Sequence, residues 1–211
     1  HVRATVNYTP WFTPNPSTVV DGTDGKGTAY PFQQKVVRTT NGANGNRTFV
    51  LAYTGSALVL YYSDNPYAFT PTWTTVGTLI TTTTHFVGDM AWASATNTMF
   101  IAYGRDTGSD TADSDVYYRR ISGLNNASPT VGAQQIALDA DTTYNYTHPI
   151  IAGAGDLTTT KIFVGASRHT DAGNPDGIDL RTGTFDADVP TWDGVYTIRS
   201  WTANANAGIL G

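Results

Sequence analysis

One phrase, a proline followed by a short strand-like segment, occurs three times in the chain: PTWTTVGTL (71–79), PTVGAQQIAL (129–138) and PTWDGVYTI (190–198). A dense apolar segment comes earlier in each set: FVLAYTG (49–55), MFIAYGR (99–105) and IFVGASR (162–168). A more alternating segment lies between the two: LVLYYSD (58–64), DVYYRRI (115–121) and GIDLRTGTF (177–185). Each set begins with a further short segment: KVVRT (35–39), GDMAWAS (88–94) and HPIIAGA (148–154). The same order of four strands is therefore predicted three times.

A unit of four strands repeated at this spacing is typical of a β-propeller blade. We expect repeats at 33–84, 85–143 and 144–198, with a half-blade at 1–32 and a first strand at 199–211. The whole chain, 1–211, then forms one all-β domain of about four blades. A β-sandwich or jelly roll is the alternative fold, and a piece of a larger propeller is a further possibility. The chain begins with His1 rather than Met, which indicates a processed form, an excised fragment or a tag remnant.

The composition supports an all-β, extracellular protein. The chain has no Glu, no Cys, three Lys and 21 Gly, so helix formers are scarce while turn residues are common. A net charge of -5 argues against a nucleic-acid partner, because no basic stripe could neutralise phosphates. No apolar run is long enough to span a membrane. We predict a secreted, cell-surface or virion location.

Ser63, Asp64 and Trp73, preceded by the strand LVLYY, resemble a loosened Asp-box of the sialidase-like β-propellers. VYYRRISGLN (116–125) and TFDADVPTW (184–192) resemble further parts of the same pattern, although Val131 stands where the middle copy would carry Trp. In that family the Asp-box is a structural turn, so the resemblance implies a fold rather than catalysis. A sialidase also needs a Glu to activate its Tyr nucleophile, and this chain has none.

The sequence does not predict an enzyme. It has no G-x-S-x-G, no phosphate-binding glycine motif and no Cys nucleophile. Paired Asp residues could serve another type of glycosidase, but no pair stands out. An N-terminal His1 with His85 or His148 could bind copper, and a copper titration would test that idea.

Acidic residues suggest a calcium site. Asp106, Asp110, Asp113 and Asp115 lie in one short Gly/Ser/Thr loop, and hard oxygen ligands at close spacing suit Ca²⁺. RHTDAGNPDGID (168–179) is the matching loop of the third repeat. A cluster of turn residues without metal is the alternative interpretation.

Aromatic residues beside Asp and Asn suggest a carbohydrate or cell-surface glycan as the partner. The preferred glycan-binding residues are Tyr67 and Phe69 in one segment and Tyr144 and Tyr146 in another. Packing of aromatic rings between blades is the competing interpretation. Four N-glycosylation sequons begin at Asn7, Asn46, Asn126 and Asn145.

We therefore predict a non-catalytic adhesion or glycan-binding module. A structural subunit of a fibre or shell, self-associating by strand exchange at its ends, is the second hypothesis. A sialidase-like glycosidase, or a fragment of one, is the third.

Overall fold

The computed structural model describes residues 33–40, 46–66, 68, 71–106, 114–141, 143–155, 160–170, 175–185 and 189–200. All regular structure in these ranges is β-strand, so the predicted all-β class is confirmed. The described part of the chain contains no helix that could cross a membrane. The half-blade predicted for 1–32 and residues 201–211 of the last predicted strand lie outside the described residues.

Sheet 1 is a four-stranded antiparallel meander in the order β1-β2-β3-β4. Its strands are β1 (Val36–Thr39), β2 (Arg47–Tyr53), β3 (Ala57–Ser63) and β4 (Thr74–Thr81). The turn between β2 and β3 contains Gly55 at a φ of 88°, a conformation that glycine adopts without a Cβ clash. Thr54 tightens this turn, because its backbone N–H donates to Ala57 O over 2.8 Å.

Sheet 2 follows the same path, but its fourth strand is divided. Its strands are β5 (Phe86–Ala93), β6 (Thr98–Arg105), β7 (Val116–Ser122), β8 (Thr130–Val131) and β9 (Gln135–Leu138). Both β8 and β9 pair with β7. Gly132 lies in the break, and its N–H still donates to Arg120 O over 2.7 Å.

Sheet 3 is the third meander, in the order β10-β11-β12-β13. Its strands are β10 (Tyr144–Gly155), β11 (Thr160–Thr170), β12 (Pro175–Phe185) and β13 (Thr191–Ser200). A bulge between Thr147 and Ile150 interrupts the pairing of β10 with β11. The three sheets are thus drawn from 33–84, 85–143 and 144–200, and no described sheet is closed on itself.

Phe49, Phe100 and Phe163 occupy the same position in the second strand of the three sheets. They pair with Val37, Ala91 and Ala152, respectively, in the first strands. This register differs by one residue from the alignment of FVLAYTG with MFIAYGR, because that alignment matches Phe49 with Met99. A shift of one residue in a strand exchanges its two faces, so only the phenylalanine register matches equivalent faces.

The three sheets pack against one another through two hydrophobic cores. The first lies between sheets 1 and 2 and includes Phe49, Leu60 and Ile101. The second lies between sheets 2 and 3 and includes Phe100 and Val164. Strand β6 contributes alternate residues to both cores and is buried along almost its whole length, as expected for a strand covered on both faces.

Arginines at equivalent positions connect each sheet to the one before it. Arg119 of β7 donates through Nη2 to Leu79 O of β4 over 3.1 Å. Arg181 of β12 donates through Nη1 to Ala137 O of β9 over 2.9 Å. Both arginines pair with the residue that follows the shared phenylalanine, Ile101 and Val164. The arginine contact between sheets 1 and 2 is therefore repeated between sheets 2 and 3.

Candidate functional site

Polar side chains gather where the first strands of the three sheets meet. Lys35 and Asp89 stand two residues before Val37 and Ala91, the partners of the shared phenylalanines, so their positions are equivalent. The corresponding residue in sheet 3 is Ile150, beside the bulge of β10. We call the polar group at this meeting point the junction cluster: Gln33, Lys35, His85, Asp89, Asp106, Thr147, His148 and His169.

Asp89 links all three sheets through backbone N–H groups. Its Oδ1 accepts from Gln34 N over 2.5 Å and from Met90 N over 3.0 Å, and its Oδ2 accepts from Ile151 N over 2.8 Å. The residue is 6% exposed. Burial raises the pKa of the carboxyl group, although the three N–H donors and Lys35 favour its charged form.

Lys35 is a half-buried cation beside this carboxylate. Its Nζ donates to Gln33 Oε1 over 3.0 Å, and Gln33 Nε2 in turn donates to Pro149 O over 2.7 Å. Burial lowers the pKa of Lys35 to about 8, against the opposing attraction of Asp89 and Asp106. Desolvation of the ammonium group therefore outweighs the field of the two carboxylates.

Two histidines share one hydroxyl group at the bulge of β10. His148 Nδ1 lies 2.9 Å from Thr147 Oγ1, and His169 Nε2 lies 2.8 Å from the same oxygen. Because a hydroxyl group has one proton, it can donate to only one of these nitrogens and must accept from the other. Burial, with His169 as the next cause, lowers the pKa of His148, so this ring is neutral at pH 7.

The backbone of His148 has a positive φ of 53°, an uncommon conformation for a residue with a side chain. Such strained residues persist where the surrounding structure holds them and are concentrated at functional sites. Here the bulge and the hydrogen bond to Thr147 keep the imidazole inside the junction cluster.

His85 and Asp106 form a buried pair at the edge of the cluster. Nδ1 of His85 lies 2.8 Å from Oδ2 of Asp106, and both side chains are at most 10% exposed. The imidazole and the ring of Tyr53 also contact each other in a T-shaped arrangement, with 4.8 Å between the centroids. The cluster as a whole can donate and accept several hydrogen bonds, and the amine of Lys35, with a pKa of about 8, can exchange a proton near neutral pH.

The predicted glycan-binding residues differ in their surroundings. Tyr146 is 5% exposed in the second core, and its hydroxyl group donates to Asp179 Oδ2 over 3.0 Å, so its ring is not available as a surface platform. Tyr144 is half-buried, with the guanidinium of Arg168 4.4 Å from its ring centroid. Tyr67 and Phe69 lie outside the described residues.

Two of the four predicted calcium ligands can be placed, and each has another partner. Asp106 pairs with His85, and Asp115 Oδ1 accepts from Ala140 N over 2.8 Å. Asp110 and Asp113 lie outside the described residues. Within the described ranges, no three His, Cys, Asp or Glu side chains are arranged to hold a metal ion.

The sequon asparagines within the described residues differ in how buried they are. Asn145 is 1% exposed, and its Oδ1 accepts from Ser114 N over 3.0 Å, so a glycan cannot be attached without breaking the fold. Asn46 and Asn126 are exposed, as a residue that accepts a glycan must be. Asn7, like His1, lies outside the described residues.

Ser63 and Asp64, two residues of the Asp-box resemblance, make side-chain hydrogen bonds. Asp64 accepts two hydrogen bonds from Arg47, at 2.7 and 2.9 Å. Ser63 Oγ donates to Asn65 Oδ1, which also accepts from Thr72 N.

Lys35, Asp89 and His169 were not predicted as site residues, and His148 was considered only as a copper ligand. One signal was present in the sequence: Asp89 is a charged residue within the apolar segment GDMAWAS (88–94). A buried charge in a strand requires hydrogen-bond partners, and it therefore indicates a structural or functional junction.

Comparison with protein-family models, with curated proteins and with solved structures found no match for this chain. The functional assignment therefore depends on the geometry of the chain itself.

Proposed function

We propose that the three sheets are consecutive blades of a β-propeller. Each is a meander of neighbouring strands, and successive sheets pack face to face in chain order. The repeated contacts of Arg119 and Arg181 support the proposal, because a rotational repeat requires the same step each time.

A further sheet would cover the outward face of sheet 3. Phe163 and Leu180 on that face are equivalent to Phe100 and Tyr118, which are buried between sheets 2 and 3. In sheet 3 they are only half-buried. If another sheet packs here, Phe163→Ala should lower the unfolding free energy about as much as Phe100→Ala. A cost below a third of the Phe100→Ala cost would contradict the propeller.

For the function, we propose an extracellular, non-catalytic glycan-binding module whose ligand contacts the junction cluster. One observation carries this proposal: hydrogen-bonding side chains of all three sheets meet at the first strands. Lys35 and Asp89 stand at equivalent positions of sheets 1 and 2, and Thr147 and His148 lie at the bulge of β10 in sheet 3. Sugars present many hydroxyl groups, and binding sites match them with convergent donors and acceptors. Lys35, which is half-buried, is the member of the cluster that we expect to contact the ligand directly, and His148, which is 9% exposed, would act by holding the cluster in place.

A glycan array followed by calorimetry on the best ligand would test this function. We expect His148→Ala and Lys35→Met to weaken binding at least tenfold. Tyr196→Ser, on the exposed strand β13, is the matched control and should bind like the wild type. Absence of binding to any glycan, or equal affinity in all four proteins, would rule the proposal out.

Self-association through sheet 3 is a second candidate function. Val195, Tyr196 and Ile198 on the edge strand β13 are 47%, 57% and 62% exposed. Exposed apolar residues on a strand edge favour pairing with another chain. Size-exclusion chromatography with light scattering over a hundredfold concentration range should show growth that Ile198→Lys abolishes, since charged residues on an edge block pairing. A monomer at every concentration would exclude this role.

A further inference from the structure

The side-chain amide of Gln33 positions the amine of Lys35, and a hydrogen bond to Pro149 O fixes the orientation of that amide. Gln33 Nε2 donates to Pro149 O over 2.7 Å, which turns Gln33 Oε1 towards Lys35 Nζ at 3.0 Å. Among the described residues, no carboxylate oxygen lies within the 4.0 Å ion-pair distance of this nitrogen. Lys35 is therefore half-buried with a neutral acceptor as its hydrogen-bond partner.

Both carboxylates near Lys35 have other partners. Asp89 accepts from three backbone N–H groups, and Asp106 pairs with His85 at 2.8 Å. Gln33 Oε1 is an acceptor, so it occupies an N–H of Lys35 and leaves the nitrogen lone pair free when the amine is neutral. An oriented neutral amine with a free lone pair is a nucleophile.

We propose that Lys35 is a reactive amine that captures small aldehydes and ketones, including the open-chain form of reducing sugars, as a reversible imine. The nitrogen lone pair attacks the carbonyl carbon, the C=O π electrons move to oxygen, and one proton passes from nitrogen to that oxygen. The resulting carbinolamine loses its hydroxyl group and the second nitrogen proton as water, which leaves C=N. Water reverses both steps, and nothing is oxidised or reduced. This chemistry does not depend on glycan binding.

The lowered pKa of about 8 supports this role. At pH 7 about a tenth of such an amine is neutral, compared with less than about a thousandth for a lysine with the ordinary pKa of 10.5. Lower basicity also reduces the nucleophilicity of the neutral form, so we expect a net advantage of about tenfold over an exposed lysine.

Reductive alkylation with glycolaldehyde and sodium cyanoborohydride would test the proposal. The chain has three lysines, Lys26, Lys35 and Lys161, so peptide mapping by mass spectrometry can follow each one. Lys161 is exposed and serves as the reference. At pH 7, Lys35 should be alkylated about tenfold faster than Lys161, and its relative advantage should shrink as the pH rises above 8. In Lys35→Arg, alkylation at this position should disappear while Lys161 reacts as before.

Alkylation of Lys35 no faster than Lys161 would overturn the proposal, and so would an advantage that is the same at pH 7 and pH 9. The α-amino group, with an ordinary pKa of about 8, is the internal control that the reagent works. Fast labelling of Lys35 without binding on a glycan array would refute the proposed glycan function and leave the reactive amine standing. Glycan binding together with slow labelling of Lys35 would refute the reactive amine and leave the glycan function standing.

Discussion

Replacing Lys35 with methionine should stabilise the protein at neutral pH. The pKa of Lys35 is about 8, whereas its ordinary value is 10.5. At about 1.4 kcal/mol for each pH unit, burying the charged amine costs about 3 kcal/mol of unfolding free energy at pH 7. Methionine keeps an unbranched stem without the charge, and it loses the hydrogen bond to Gln33 Oε1, worth about 1 kcal/mol. We therefore expect Lys35→Met to be more stable by about 2 kcal/mol.

The sign of the pH dependence follows from the lowered pKa. Below pH 8 both folded and unfolded chains carry the charged lysine, so the cost is present in full. As the pH rises from 8 towards 10.5, the folded protein loses the proton first and the cost fades. The advantage of Lys35→Met should therefore fall from about 2 kcal/mol at pH 7 to less than about 1 kcal/mol at pH 9.5.

Urea denaturation of the wild type and of Lys35→Met at pH 7 and pH 9.5 measures how the stability difference between the two proteins changes with pH. The tyrosines, including Tyr103 with a pKa raised by burial to about 12, titrate alike in both proteins and cancel. Lys161→Met, at an exposed site, is the matched control and should change the stability by less than about 0.5 kcal/mol. A variant less stable than the wild type at pH 7, or an advantage that does not change with pH, would refute the reasoning.

Three further changes test the contacts between sheets, each by urea denaturation. Asp89→Asn should cost about 2 kcal/mol, because one of the three N–H groups held by the carboxylate would face an amide NH₂; a neutral result would show that the link is not needed. Gly88→Ala should cost about 1–3 kcal/mol, since its Cβ would lie 2.8 Å from Leu51 Cδ2 and 3.0 Å from Ala102 O, whereas Gly194→Ala has open space and should be nearly neutral. Arg119→Met should cost about 1–3 kcal/mol through the lost bonds to Leu79 O and Gly132 O, and no loss would argue against the repeated arginine contact.

The strands could be predicted from the sequence because burial and pairing leave a local pattern. The twelve predicted segments coincide with β1 to β13, and only the fourth strand of sheet 2 is divided. The register between repeats was harder to predict. Aligning the identical pairs Ala52-Tyr53 and Ala102-Tyr103 places the two segments one residue away from the register in which Phe49 and Phe100 are equivalent. Only the pairing of Phe49 with Val37 and of Phe100 with Ala91 reveals the equivalent faces.

The junction cluster could not be predicted because its contacts join distant parts of the chain. Asp89 and Ile151 are 62 residues apart, and Gln33 and Pro149 are 116 residues apart. Tyr144 and Tyr146 illustrate the same limit within one segment. Both residues precede the predicted strand HPIIAGA (148–154), but β10 begins at Tyr144, and pairing with β11 carries Tyr146 into the second core.

Lys35, Asp89 and Ile150 occupy equivalent positions of the three first strands, and comparing them shows which charges the fold requires. Ile150 shows that an uncharged side chain can occupy this position in sheet 3. Asp89 has a structural reason to be charged, since its carboxylate joins backbone N–H groups of three sheets. The ammonium group of Lys35 does not join backbone groups in this way within the described residues: Nζ donates to a neutral amide, and burial outweighs the attraction of Asp89 and Asp106 for its charge. A residue that lowers stability without joining the sheets is best explained by a role in binding or chemistry, and Lys35 is the member of the junction cluster that meets this description.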